Sequence, residues 1–215
     1  MRQPNHAIDS DTGRERRVKS TICAGPPQST TLCPMTIDHL THHEITSDID
    51  RIRSILGSGI FSAENSNNPL FPSALTELLI RLQDLLAKSA NLAKRVSFQD
   101  DVTIKGNVGD VTNLVAFVRD ALCHVDSDKH DHDEIQARIS FNVIFGKAVL
   151  AQLGNVSVES PYKDDVAFVF GPQRLYLRRH IVRAFEEAQS NLLPVLQSAA
   201  KGHNNSSQPT ASGGG

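Results

Sequence analysis

The apolar positions of this chain follow two rhythms. Between Phe71 and Lys94, Leu75, Leu78, Leu79, Leu82, Leu85, Leu86 and Leu92 recur at the three-and-four spacing of one broad helix face. Ser73 stands near its start as a candidate N-cap, with Glu77 close to the positive helix end. From Val111 to Val125 the pattern repeats with Val111, Leu114, Val115, Val118, Ala121, Leu122 and Val125, and Asp110 precedes it as a capping residue. The two stripes predict neighbouring helices that bury their apolar faces on each other. A weaker period over Ile37, Leu40, Ile45, Ile49, Ile52 and Ile55 predicts an accessory helix ending near Gly57 and Gly59, followed by the linker S-A-E-N-S-N-N-P. A last helix is expected over Arg178 to Ser198, kinked at Pro194.

The other rhythm is that of strands. Ile139 to Phe145, I-S-F-N-V-I-F, is β-branched and aromatic and stops at Gly146; it reads as a strand, with a buried helix as the alternative. Val166 to Phe170 and Arg174 to Leu177 flank Gly-Pro-Gln and predict a hairpin.

Composition narrows the packed region. In a chain of 215 residues, the first 34 are rich in Ser, Thr, Pro, Arg and Asp, and the end reads K-G-H-N-N-S-S-Q-P-T-A-S-G-G-G. Neither end offers enough apolar surface to offset its ordering entropy. Residues 1–68 are therefore read as a largely disordered extension with a short helix, 69–200 as the folded domain and 201–215 as a disordered tail. The net charge of −2 gives no global pull on nucleic acid, so such binding needs a local patch. Cys23, Cys33 and Cys123 show no framework spacing, which suits a reducing, cytoplasmic setting. The start M-R-Q-P-N-H-A lacks the apolar core of a signal peptide, Met35 is an alternative start, and no apolar run is long enough to span a membrane.

Candidate chemistry gathers first on the polar face of the Val111 helix. Asp120 and His124 lie four residues apart on one face, and Arg119 flanks them with a stem long enough to reach the same solvent. A cation, a carboxylate and an imidazole there can carry out proton transfer at a phosphate. The alternative is a helix end where Arg119 and His124 favour the negative dipole and Asp120 is solvated. A second group is Arg174, Arg178, Arg179, His180 and Arg183, with Tyr176 placed to stack on a base. Against RNA binding stands the favoured alternative, a solvated face pairing with Glu186, Glu187, Asp164 or Asp165. A third run, His124, Asp126, Asp128, His130, His132 and Asp133, has donor chemistry but no known metal spacing, so no metal or other cofactor is expected. The sequence holds no Gly-rich phosphate loop, Cys-pair zinc site or nucleophile elbow.

The string R-D-A-L-C-H, Arg119 to His124, resembles the R-polar-x3-H motif of the HEPN superfamily (higher eukaryotes and prokaryotes nucleotide-binding). That family consists of small helical bundles, many of them metal-independent endoribonucleases that act as toxins, abortive-infection factors or CRISPR effectors. The resemblance implies a mainly α, HEPN-like bundle, with the strands as a small antiparallel insertion or hairpin. It implies an endoribonuclease of toxin or antiviral-defence type in which a 2′-hydroxyl attacks the adjacent phosphate and leaves a cyclic phosphate. His124 then accepts or donates the proton, Arg119 stabilises the charged transition state, and Asp120 orients one of them. One helix supplies one His, so a homodimer is implied, with RNA as substrate and an antitoxin or regulatory protein as a further partner. The other class open to these residues is a non-catalytic helical module that binds RNA or protein.

Overall fold

The computed structural model describes residues 37–124, 128–132 and 137–205. The readings of 1–36 and 206–215 as disordered, and the placements of Val125, Asp126 and Asp133, lie outside these residues. The long helices are α1 (His39–Gly57), α2 (Phe71–Leu92), α3 (Val111–Cys123) and α4 (Arg183–Asn205), the last entered through a π-helical segment, Leu177–Val182. The strands are β1 (Asp131–His132), β2 (Ala137–Arg138), β3 (Asn142–Phe145), β4 (Ala148–Leu153), β5 (Val156–Ser160), β6 (Val166–Phe170) and β7 (Gln173–Tyr176).

Helix α2 forms where its leucines predict, and it buries Leu75, Leu78, Leu79, Leu82, Leu85 and Leu86. It begins three residues earlier than the Ser73 cap implies: Leu70 takes the cap position without a side-chain bond, and Pro72 lies in the first turn, where its missing N–H costs nothing. The α1 stripe proves to be part of the same core, with Ile45 and Ile52 fully buried, so the packed region reaches back to Ile37. Asp48, nearly buried on α1, accepts from Arg81 Nη1 at 3.1 Å and Lys88 Nζ at 3.0 Å, which fixes α1 on α2 through charge-assisted bonds. Its Asp38 cap accepts the Thr41 N–H at 2.8 Å.

The mainly α bundle is not what the chain forms. Over half of the described residues are helical, but about a fifth lie in strands of three small antiparallel sheets. The three-stranded sheet, ordered β3-β6-β7, is no appended insertion, because its side chains build the core. In β6, Phe168 and Phe170 join the helical core, while Ala167 and Val169 face a second cluster with Ile139, Ile144, Val158 and Tyr176. A strand buried on both faces needs an unbroken apolar run, and V-A-F-V-F is one. The expected strand over Ile139 to Phe145 begins only at Asn142, and the β4–β5 ribbon falls in a stretch where no element was expected.

The β6–β7 hairpin does form, pairing Phe170 with Gln173 across the two-residue loop Gly171-Pro172. Gly171 has φ +50°, and a Cβ there would lie 2.5 Å from the Lys129 carbonyl oxygen. Proline cannot take positive φ, so the loop is of the type II′ kind with glycine first. Only glycine lets this loop press against residues 129–131. Helix α4 continues through Pro194 and past residue 200, beyond the boundary set for the tail.

Candidate site at the end of helix α3

Asp110 starts α3 as expected: its carboxylate accepts the Asn113 N–H at 2.9 Å and holds Arg95 in a two-pronged pair. Val111, Leu114, Val115, Val118 and Ala121 are buried, and α3 packs on α2. That packing turns residues 119 and 120 to the two flanks of the helix. Arg119 lies toward α2, donating from Nε to Gln83 Oε1 at 2.6 Å, and its Nη1 is 3.1 Å from Asp120 Oδ1. Asp120 reaches the opposite flank, where Oδ2 accepts from Lys129 Nζ at 2.6 Å.

A chain of contacts thus runs Gln83–Arg119–Asp120–Lys129 across the helix. His124 follows the last turn, with its N–H on the Asp120 carbonyl at 3.0 Å, and its side chain is exposed. The structure joins Arg119 to Asp120 directly and places His124 one turn on. It does not set the three around one cavity. Arg119 lines a groove with Ile80, Gln83, Asp84 and Cys123, whereas Asp120 lines a separate cavity with Phe117, Lys129 and Gln173. Gln83 and Lys129 were invisible to sequence reasoning: Gln83 is 36 residues away from Arg119, and Lys129 lies beyond the helix end.

The arginine-rich segment is built differently. Asp165, whose side chain is fully buried, accepts the backbone N–H groups of Val166, Arg178 and Arg179 and pairs with Arg179 Nη1 at 3.0 Å. Arg179 also reaches Asp164 at 3.3 Å and lies 3.6 Å over the Tyr162 ring. Arg183 pairs with Asp100 at 2.9 Å and lies 3.8 Å over Phe98. Arg174 donates to the Ser157 carbonyl at 2.7 Å. Arg178 is exposed and remains open to an anion.

Tyr176 does not fit the stacking role. It is 4% exposed and packs edge-on against Tyr162, and burial pushes its hydroxyl up to about 12. His180 is fully buried: Nδ1 accepts the Tyr176 N–H at 3.1 Å and Nε2 donates to the Asp100 carbonyl at 3.0 Å. Burial holds its pKa below the ordinary histidine value. The Asp164 and Asp165 pairings are those of the alternative reading of this segment.

Of the donor-rich run, His130 and His132 are buried, with His130 Nε2 3.0 Å from the Ala121 carbonyl, while Asp128 is exposed. Among the described residues no group of three or more His, Cys, Asp or Glu side chains could hold a metal ion. Nor, among them, is any helix long and apolar enough to cross a membrane. The chain matches no protein-family model, no curated protein and no solved structure.

Proposed function

We propose that the protein is a metal-independent endoribonuclease whose working groups sit at the C-terminal end of α3. The observation that carries this reading is the exposed His124 ring one helical turn beyond the Arg119–Asp120 ion pair. An imidazole ring open to solvent has a nitrogen that can take the 2′-hydroxyl proton or give one to the leaving 5′-oxygen. Arg119, positioned by Gln83 and Asp120, presents a planar cation to the phosphate, and Lys129 offsets part of the Asp120 charge from the opposite flank. Acid and base roles need two groups, so the reading calls for a second copy of the chain to supply another His124.

The test is incubation of purified protein with end-labelled single-stranded RNA in excess chelator, followed by analysis of the new ends. Cyclic-phosphate ends are expected, with cleavage reduced at least about 100-fold in His124→Ala and in Arg119→Ala, the usual scale for removing a general base or a charge-stabilising donor. Light scattering should show a dimer. Cleavage that survives in His124→Ala overturns the proposal. RNA bound but never cut by the wild-type protein moves the reading to a binding module.

A further inference from the structure

The cavity on the Asp120 side of α3 has a volume of about 530 Å³, within the range of sites that hold small organic ligands. Two elements face each other across it. On one side stands α3 with Asn113 and Phe117; on the other, the Gly171-Pro172 loop brings in Gln173. Gln173 is 1% exposed, and its Nε2 donates to the Thr103 carbonyl at 3.0 Å, which orients the amide. Among the described residues the Oε1 atom left over has no hydrogen-bond partner, and an unanswered buried acceptor is costly to keep.

The charges around this cavity discriminate between ligands. Asp120, Asp128 and Asp131 oppose a simple anion, and Lys105 and Lys129 oppose a simple cation. What suits both signs is a neutral, flat molecule whose edge carries N–H donors for carboxylate and amide oxygens. Phe117, with Val108 and Pro172, supplies apolar surface for the faces of such a ring. Lysines at the same cavity suit a phosphate attached to it.

We propose that this cavity is a nucleobase site that selects guanine, the base whose ring N–H and exocyclic amine lie side by side on one edge. Asp131 and Gln173 accept from that edge, and Asn107 and Asn113 serve the remaining polar atoms. Asp120 belongs both to this cavity and to the ion pair with Arg119, so the pocket sets which base lies next to the phosphodiester. In that respect the proposal rests on the ribonuclease reading.

The experiment titrates the full chain separately with guanosine, adenosine, cytidine and uridine 5′-monophosphates by calorimetry, alongside RNA cleavage by the same preparation. Guanosine monophosphate should bind at least about tenfold more tightly than the others, the discrimination expected of one well-placed pair of base-edge hydrogen bonds. Asp131→Asn, at an exposed strand position, should reduce that preference below about threefold with an unchanged melting temperature. Asn107→Ala, also exposed, serves as the second variant and should weaken guanosine monophosphate binding. Equal binding of all four nucleotides, no saturable binding of any, or a guanine preference intact in both variants overturns the assignment. Guanosine binding without RNA cleavage upholds the pocket and removes the nuclease; cleavage without base preference or nucleotide binding does the reverse.

Discussion

Arg119 and Arg179 have nearly the same side-chain exposure, 32% and 30%, and each pairs with an aspartate at about the same distance, 3.1 and 3.0 Å. The partners differ. Asp165 is fully buried and also accepts three backbone N–H groups, whereas Asp120 is 33% exposed and shared with Lys129. A buried carboxylate must keep its cation, because an uncompensated charge there is costly; a surface carboxylate can exchange one for water or for a ligand. The lesson is that the availability of an arginine is set by the burial of its counter-ion more than by its own. One region is a structural clasp, and the other keeps its charges within reach of solvent.

Four measurements sharpen this contrast. Asp165→Ala should have the largest effect, about 3–5 kcal/mol by chemical denaturation, since it strips the helix entry of its acceptor and strands Arg179. A loss under 1 kcal/mol would put the clasp on the same footing as the α3 pair. Gly171→Ala comes next, at about 2–3 kcal/mol, because a methyl group meets the Lys129 carbonyl and the loop needs positive φ. Guanosine monophosphate binding should weaken with it.

The third measurement is pH dependence at His180. Both ring nitrogens are committed to the neutral form, and protonating Nδ1 would set a donor against the Tyr176 N–H. With the folded pKa lowered by burial, the unfolded chain binds the proton first. His180 therefore contributes stability that is complete above about pH 6.5 and is lost as pH falls through the folded pKa, at no more than about 1.4 kcal/mol per pH unit. The contribution ceases to change once pH is below both pKa values. Denaturation curves across pH 5 to 8 for the wild type and His180→Gln should differ in slope on the acid side. The smallest stability effect is expected for Arg119→Met, under about 1 kcal/mol for a half-exposed pair, while RNA cleavage by that variant collapses. A large destabilisation would make Arg119 a structural residue like Arg179.

Helices α2 and α3, the Asp110 cap and the β6–β7 hairpin were all legible, because each rests on contacts or propensities within a few residues. The β4–β5 ribbon was not, since A-V-L-A-Q-L has no clean alternation and a bulge falls between Val149 and Ala151. The role of α1 was underestimated because its stripe is thin, yet Ile45, Ile49 and Ile52 suffice once α2 and α4 cover them. For the candidate site, the turn carrying Arg119, Asp120 and His124 could be picked out from residue spacing. That Arg119 and Asp120 open on opposite flanks could not.

From the linear pattern alone came the long amphipathic helices, their apolar stripes and the hairpin strand V-A-F-V-F, because periodicity and capping are local physics. Tertiary structure decided which charges are committed and which remain accessible. Arg183 finds Asp100 across 83 positions, Arg119 finds Gln83 across 36 and Arg179 finds Asp165 across 14. Such pairings are chosen by how helices and sheet pack, and burial then fixes how firmly each carboxylate holds its cation.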